Sequence, residues 1–111
     1  MAVVHRLECS LHAMPKVFLE VVLIAADMQA GGLLSRDEVE DPLSDALEGA
    51  GLGEVTAGGG GSGVYTIDVE VSDDHFDEAL SSIRAALRAA RAPASTEIKR
   101  HSPRETTYRI A

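Results

Sequence analysis

The chain has 111 residues, 45% of them hydrophobic, and a formal net charge of −8, which fits one domain with a two-layer core and leaves little volume for an enclosed active site. Its longest apolar run, Val17 to Ala26, is broken by Glu20 and is about half the length a bilayer span needs. The N-terminus lacks the basic and apolar regions of a secretory signal, and the single cysteine, Cys9, has no internal disulfide partner, so no membrane is expected and the expected setting is reducing and cytoplasmic.

Residues 1–14 follow no clear period and read as an N-terminal extension, with residues 15–111 as a single domain. From Lys16, the run KVFLEVVLIAA is rich in β-branched residues and reads as a strand. Val17, Leu19, Val21 and Leu23 share one face; Lys16, Phe18, Glu20 and Val22 share the other. DMQAGGLL follows as a loop, and Ser35-Arg36-Asp37-Glu38 carries the S-x-x-E spacing of a capping box at a helix start. Val39, Leu43, Ala46, Leu47 and Ala50 recur at helical spacing. Pro42 falls inside this helix and either kinks it, the reading we favour, or marks its first residue after Asp41.

Glu54 to Ala57 reads as a short strand, followed by Gly58 to Gly63, five glycines in six residues. A phosphate-binding loop would need a following lysine and a helix, and here neither is present. The string also resembles a flexible linker, but the flanking strands have lengths and faces suited to pairing, so the glycines are expected at a hairpin turn. In Val64 to Val71, Tyr65, Ile67, Val69 and Val71 alternate with Thr66, Asp68 and Glu70, as in a sheet with one buried face. Ser72-Asp73-Asp74 reads as the cap of a second helix with Phe76, Leu80, Ile83 and Leu87 as its stripe. Arg84, Arg88 and Arg91 are expected on its outer side. Thr96 to His101 reads as a fourth strand, Ser102 to Glu105 as a turn, and Thr106 to Ile110 as a fifth, edge strand. The expected fold is α+β: a ferredoxin-like βαββαβ two-layer sandwich, an antiparallel sheet with two helices on one face and its first and third strands central.

Charge is distributed unevenly along this order. Glu20 to Glu78 holds fifteen acidic residues against Arg36 alone, a net of −14, while Arg84 to Ala111 nets +5. Most of the chain would repel a phosphate backbone, which disfavours nucleic acid except through the C-terminal third. The acidic block suits a cationic protein partner. His5, Cys9 and His12 offer an H-x3-C-x2-H set of metal ligands, but zinc takes four ligands or three and a water and the nearest carboxylate, Glu8, is poorly spaced on a helix; nothing places His75 beside His101, and no cofactor or metal is expected. Glu20, Asp68 and Glu70, with Phe18, Val22 and Thr66 among them, should project from the uncovered sheet face. That face reads as solvated, as a partner-binding or dimerising surface, or as an acid–base site completed by a second subunit. Gly31-Gly32 is the alternative ligand position, a loop whose amides would lie beside a helix start.

The run LSRDEVEDPLSDALEGAGLGEVTAGGGGSGVYTIDVEV, followed by DDHFDEALSSIRAALRAARAP, resembles a group of small bacterial ferredoxin-like proteins of largely unassigned function over about residues 16–100. The resemblance implies that fold. Some small acidic proteins of this kind look like immunity proteins, which neutralise a toxin, and ACT-type domains of similar fold bind small regulatory ligands; this chain departs from the ACT pattern between Ala26 and Ser35. The expected function is a non-enzymatic protein-binding module, with a ligand-sensing domain or an interface enzyme as alternatives.

Overall fold

The computed structural model describes residues 16–101 and 106–110; the N-terminal extension, with His5, Cys9 and His12, and the Ser102 to Glu105 turn lie outside them. The elements are β1 (Lys16–Ile24), α1 (Ala25–Ala30), α2 (Asp37–Gly49), β2 (Gly53–Gly61), β3 (Val64–Ser72), α3 (Phe76–Ala89) after a single 3-10 turn (Asp73–His75), β4 (Glu97–Arg100) and β5 (Thr106–Arg109). The five strands form one antiparallel sheet in the order β2-β3-β1-β4-β5. The fold is α+β, with β1 at the centre of the sheet and β5 present at one edge.

Alternation along β1 and β3 sets the layers. Val17, Leu19, Val21 and Leu23 are buried, as are Ile67, Val69 and Val71 opposite them. They meet Val39, Leu43 and Leu47 of α2 and Ala79, Leu80, Ile83 and Leu87 of α3. This core lies between the sheet and the two long helices, which pack on one another. Among the described residues, the opposite sheet face has no helix on it.

Several local expectations are corrected. DMQAGGLL is a loop only from Gly31 onward. Ala25–Ala30 is helical, and the chain leaves it through Gly32 at φ +89, with Gly32 N–H bonded to Gln29 O at 3.0 Å and Leu33 N–H to Met28 O at 2.8 Å. This is the paired-bond exit that glycine at positive φ permits, and Met28, fully buried, anchors the turn. At the start of α2 the Glu38 carboxylate accepts from the backbone N–H groups of Leu34 (2.6 Å) and Ser35 (3.0 Å), but no side chain caps the helix from its own N-cap position. Only the carboxylate half of the capping box forms. Pro42 lies within α2 rather than starting it. Ser72 does not cap α3 either, because the 3-10 turn intervenes and its buried hydroxyl has no partner among the described residues.

The glycine run is strand rather than turn. Gly58 to Gly61 pair with Ile67 to Val64, and the hairpin turns on Ser62 (φ +53) and Gly63 (φ +83) alone. Two central residues at positive φ are the signature of a type I′ turn, which favours Asn-Gly. Ser62 carries the strain that asparagine tolerates better. Ser62→Asn should raise stability by about 0.5 kcal/mol in urea unfolding.

The C-terminal arginines of α3 do not simply face solvent. Arg84 Nε donates to Arg109 O at 2.8 Å and Arg88 Nη1 donates to Ile110 O. They tie the last strand beneath the helix, where Ile110 is buried and the Tyr108 ring lies 5.9 Å from that of Phe76. A charge-assisted bond of this kind contributes about 1.5 kcal/mol. Arg88→Ala should therefore speed hydrogen exchange of Tyr108 to Ile110 before it affects β1 or β3.

Candidate functional site

The register brings together the sheet residues that the sequence pointed to. Glu20 lies opposite Asp68, Phe18 opposite Glu70 and Val22 opposite Thr66, all on the face turned away from α2 and α3. Their charges are not equivalent. Glu70 is bridged by Lys16 at 3.4 Å and Glu20 by His101 Nε2 at 3.1 Å, whereas Asp68 has no ion pair among the described residues. Phe18 is 48% exposed and Ile24 37%, so β1 shows apolar side chains on this face on either side of Glu20. Among the described residues it is an open sheet rather than a pocket, and none of them encloses its carboxylates.

The Gly31-Gly32 position is built differently from the expectation. It follows the C-terminus of α1, and the amides of Gly31, Gly32 and Leu33 bond to Asp27, Met28 and Gln29 carbonyls. Those amides are engaged in ending the helix.

A second surface, which the sequence reading did not place, lies on the helical layer. Asp37, Asp41, Asp45 and Glu48 recur every three or four residues on α2, and all are exposed. None has a cationic partner among the described residues; Glu48 accepts only from Ser44 Oγ at 3.1 Å. The other acids of the segment are engaged, Glu38 in the cap and Glu40 with Arg36 at 2.8 Å. Near the end of α2, the 3-10 turn adds exposed Asp74 and the first turn of α3 adds exposed Asp77 and Glu78, of which Glu78 contacts His75 at 3.2 Å.

This charge works against local stability. Like charges at i,i+4 each cost a helix a few tenths of a kcal/mol. Asp37 and Glu38 offset that by lying at the positive end of α2, but Asp45 and Glu48 lie toward its negative end, whose last turn has no basic residue. On the same layer, a shallow groove is lined by Leu52, Asp77, Glu78, Ser81, Ser82 and Ala85. Leu52 and Ala85 give it an apolar floor and Asp77 and Glu78 an acidic lip, a shape that accepts the stem and the charge of a lysine or arginine side chain.

Among the described residues, no three His, Cys, Asp or Glu side chains converge to hold a metal ion, and no helix is long and apolar enough to cross a membrane. Comparisons with protein-family models, curated proteins and solved structures find no match to the chain. The signal that would have found the helical surface is the Asp37, Asp41, Asp45 spacing, which puts the acids on one side of α2.

Proposed function

We propose that the chain is a non-enzymatic protein-binding module, built on a ferredoxin-like βαββαβ frame with a fifth strand added at one edge, that engages a cationic partner as an immunity-like inhibitor does. The observation that carries the reading is the unneutralised acid on the C-terminal half of α2. Asp45 and Glu48 lack a cationic partner among the described residues and oppose the helix dipole, and the groove formed by Leu52, Asp77 and Glu78 lies on the same helical layer. Residues that weaken their own helix are explained by an interaction outside it. A basic side chain from the partner would occupy the groove while the α2 acids steer its approach.

The test is selective capture. Immobilised wild-type protein should retain a basic protein from extracts of its own cell, and Asp45→Lys/Glu48→Lys should not. Association with that protein should slow steeply as salt is raised. An association rate indifferent to salt, or equal capture by the variant, would sink the reading.

A further inference from the structure

The uncovered sheet face carries a pattern that one symmetry operation satisfies. Across its middle row lie Ala57 of β2, Asp68 of β3, Glu20 of β1, Lys99 of β4 and Thr107 of β5, each opposite the next. On the two strands that flank β1, Asp68 and Lys99 are the charges without an ion pair among the described residues; Glu70 and Glu97 are bridged by Lys16 and Arg109. They stand at the same level, one strand to either side of the centre. The columns differ in sign as well. The β2 and β3 side presents Glu54, Asp68 and Glu70; the β4 and β5 side presents Lys99 and Arg109 against Glu97 alone.

We infer that this face binds a second copy of the chain, through a two-fold axis running along β1. Rotation about that axis lays β3 over β4 of the partner subunit and β2 over its β5. Asp68 then faces Lys99 of the partner subunit, and Lys99 faces the partner subunit's Asp68, so the pair forms twice across the interface. Phe18 and Val22 pack on their own mates. Ala57 and Gly59, which have little or no side chain, lie beneath the partner's Thr107 and the partner's Arg109, leaving room for the longer groups. A two-fold across the strands would instead set Asp68 on Asp68 and Lys99 on Lys99. Stacked sheets lie about 10 Å apart, a gap that one lysine and one aspartate span between them. Five strands about 4.8 Å apart give a footprint of about 500 Å², and side-chain relief brings the accessible area of such a face toward the about 800 Å² per partner of a stable interface. The axis forces one like-charge meeting, Glu20 against its mate. The helical layer stays outside, so the dimer presents two copies of the acidic surface and stands independently of the function proposed above.

Sedimentation equilibrium of the full chain tests this. Between about 1 and 100 μM, the mass should rise toward twice 11.7 kDa. Asp68→Lys alone sets lysine against lysine, and Lys99→Asp alone sets aspartate against aspartate; each should raise the dimer Kd about 100-fold. The double variant D68K/K99D restores opposite charges and should return the Kd to within about fivefold of wild type. Glu20→Gln removes the meeting on the axis and should tighten the dimer. Circular dichroism checks that each exposed-face variant keeps the fold. A monomer mass at the highest concentration, a dimer indifferent to the single swaps, or a double variant no better than either single would overturn the inference. A dimer loosened by Glu20→Gln would overturn the axis.

Discussion

Gly53→Ala should be among the most damaging single-methyl changes in the molecule. A Cβ at Gly53 would lie 2.5 Å from Glu70 O and 2.7 Å from Val71 Cγ1. The first is backbone of the neighbouring strand and the second belongs to a fully buried core residue, so neither can swing aside. Overpacking at such a site costs about 3 kcal/mol, a fall of about 15 °C in Tm for a domain of this size. Gly59→Ala is the control. Its Cβ would meet only Thr66 Oγ1, at 3.5 Å, and the change should alter stability by no more than about 0.5 kcal/mol. Thermal unfolding of the two variants side by side checks both values, and equal losses would contradict the pairing of β2 with β3.

The second large effect is on association. Reversing two charges in Asp45→Lys/Glu48→Lys should weaken the partner complex about 100-fold, mainly by slowing association at low salt. The loss should shrink as salt rises, because screening removes from wild type what the variant has already lost. The same substitutions place cations at the negative end of α2 and break the like-charge ladder with Asp41. They should therefore stabilise the free protein by about 1 kcal/mol. Opposite signs for stability and binding distinguish a functional surface from a structural one.

Much of the fold is legible in the residues. Period-two alternation in β1 and β3 and the Leu80, Ile83, Leu87 stripe identify the buried faces, because burial is what selects those positions. The glycine run is where pattern gives out. Glycine has no side chain to alternate, and its pairing with β3 is a property of the partner strand. Two of these glycines have reasons visible only in three dimensions. A Cβ at Gly58 would lie 2.8 Å from Arg36 Nε, and one at Gly60 would lie 2.9 Å from Tyr65 Cδ1, so both leave space for larger groups on the helix side. Helix α1 is obscured by its own ending, since Gly31-Gly32 reads as loop although glycine just past a short helix is also its stop. Arg84 and Arg88 show what a helical stripe omits. It gives the side of α3 they occupy, but not that the C-terminal strand folds back to meet them.

The candidate surfaces divide in the same way. That the chain is acidic, and that Glu20, Asp68 and Glu70 share a face, follows from composition and alternation. Which acids remain available does not. Lys16 neutralises Glu70 and His101 reaches Glu20 only through the sheet register, and Leu52 joins Asp77 and Glu78 in one groove only because α2 and α3 pack together.

The central claim is that the acids on the C-terminal half of α2 serve a partner and not the fold. Urea unfolding of Asp45→Lys/Glu48→Lys against wild type tests it without the partner in hand. The account expects a higher midpoint with an unchanged m-value, equivalent to about 1 kcal/mol of added stability. A lower midpoint would mean that those carboxylates hold the structure together, and the case for a docking surface on the helical layer would fall with it.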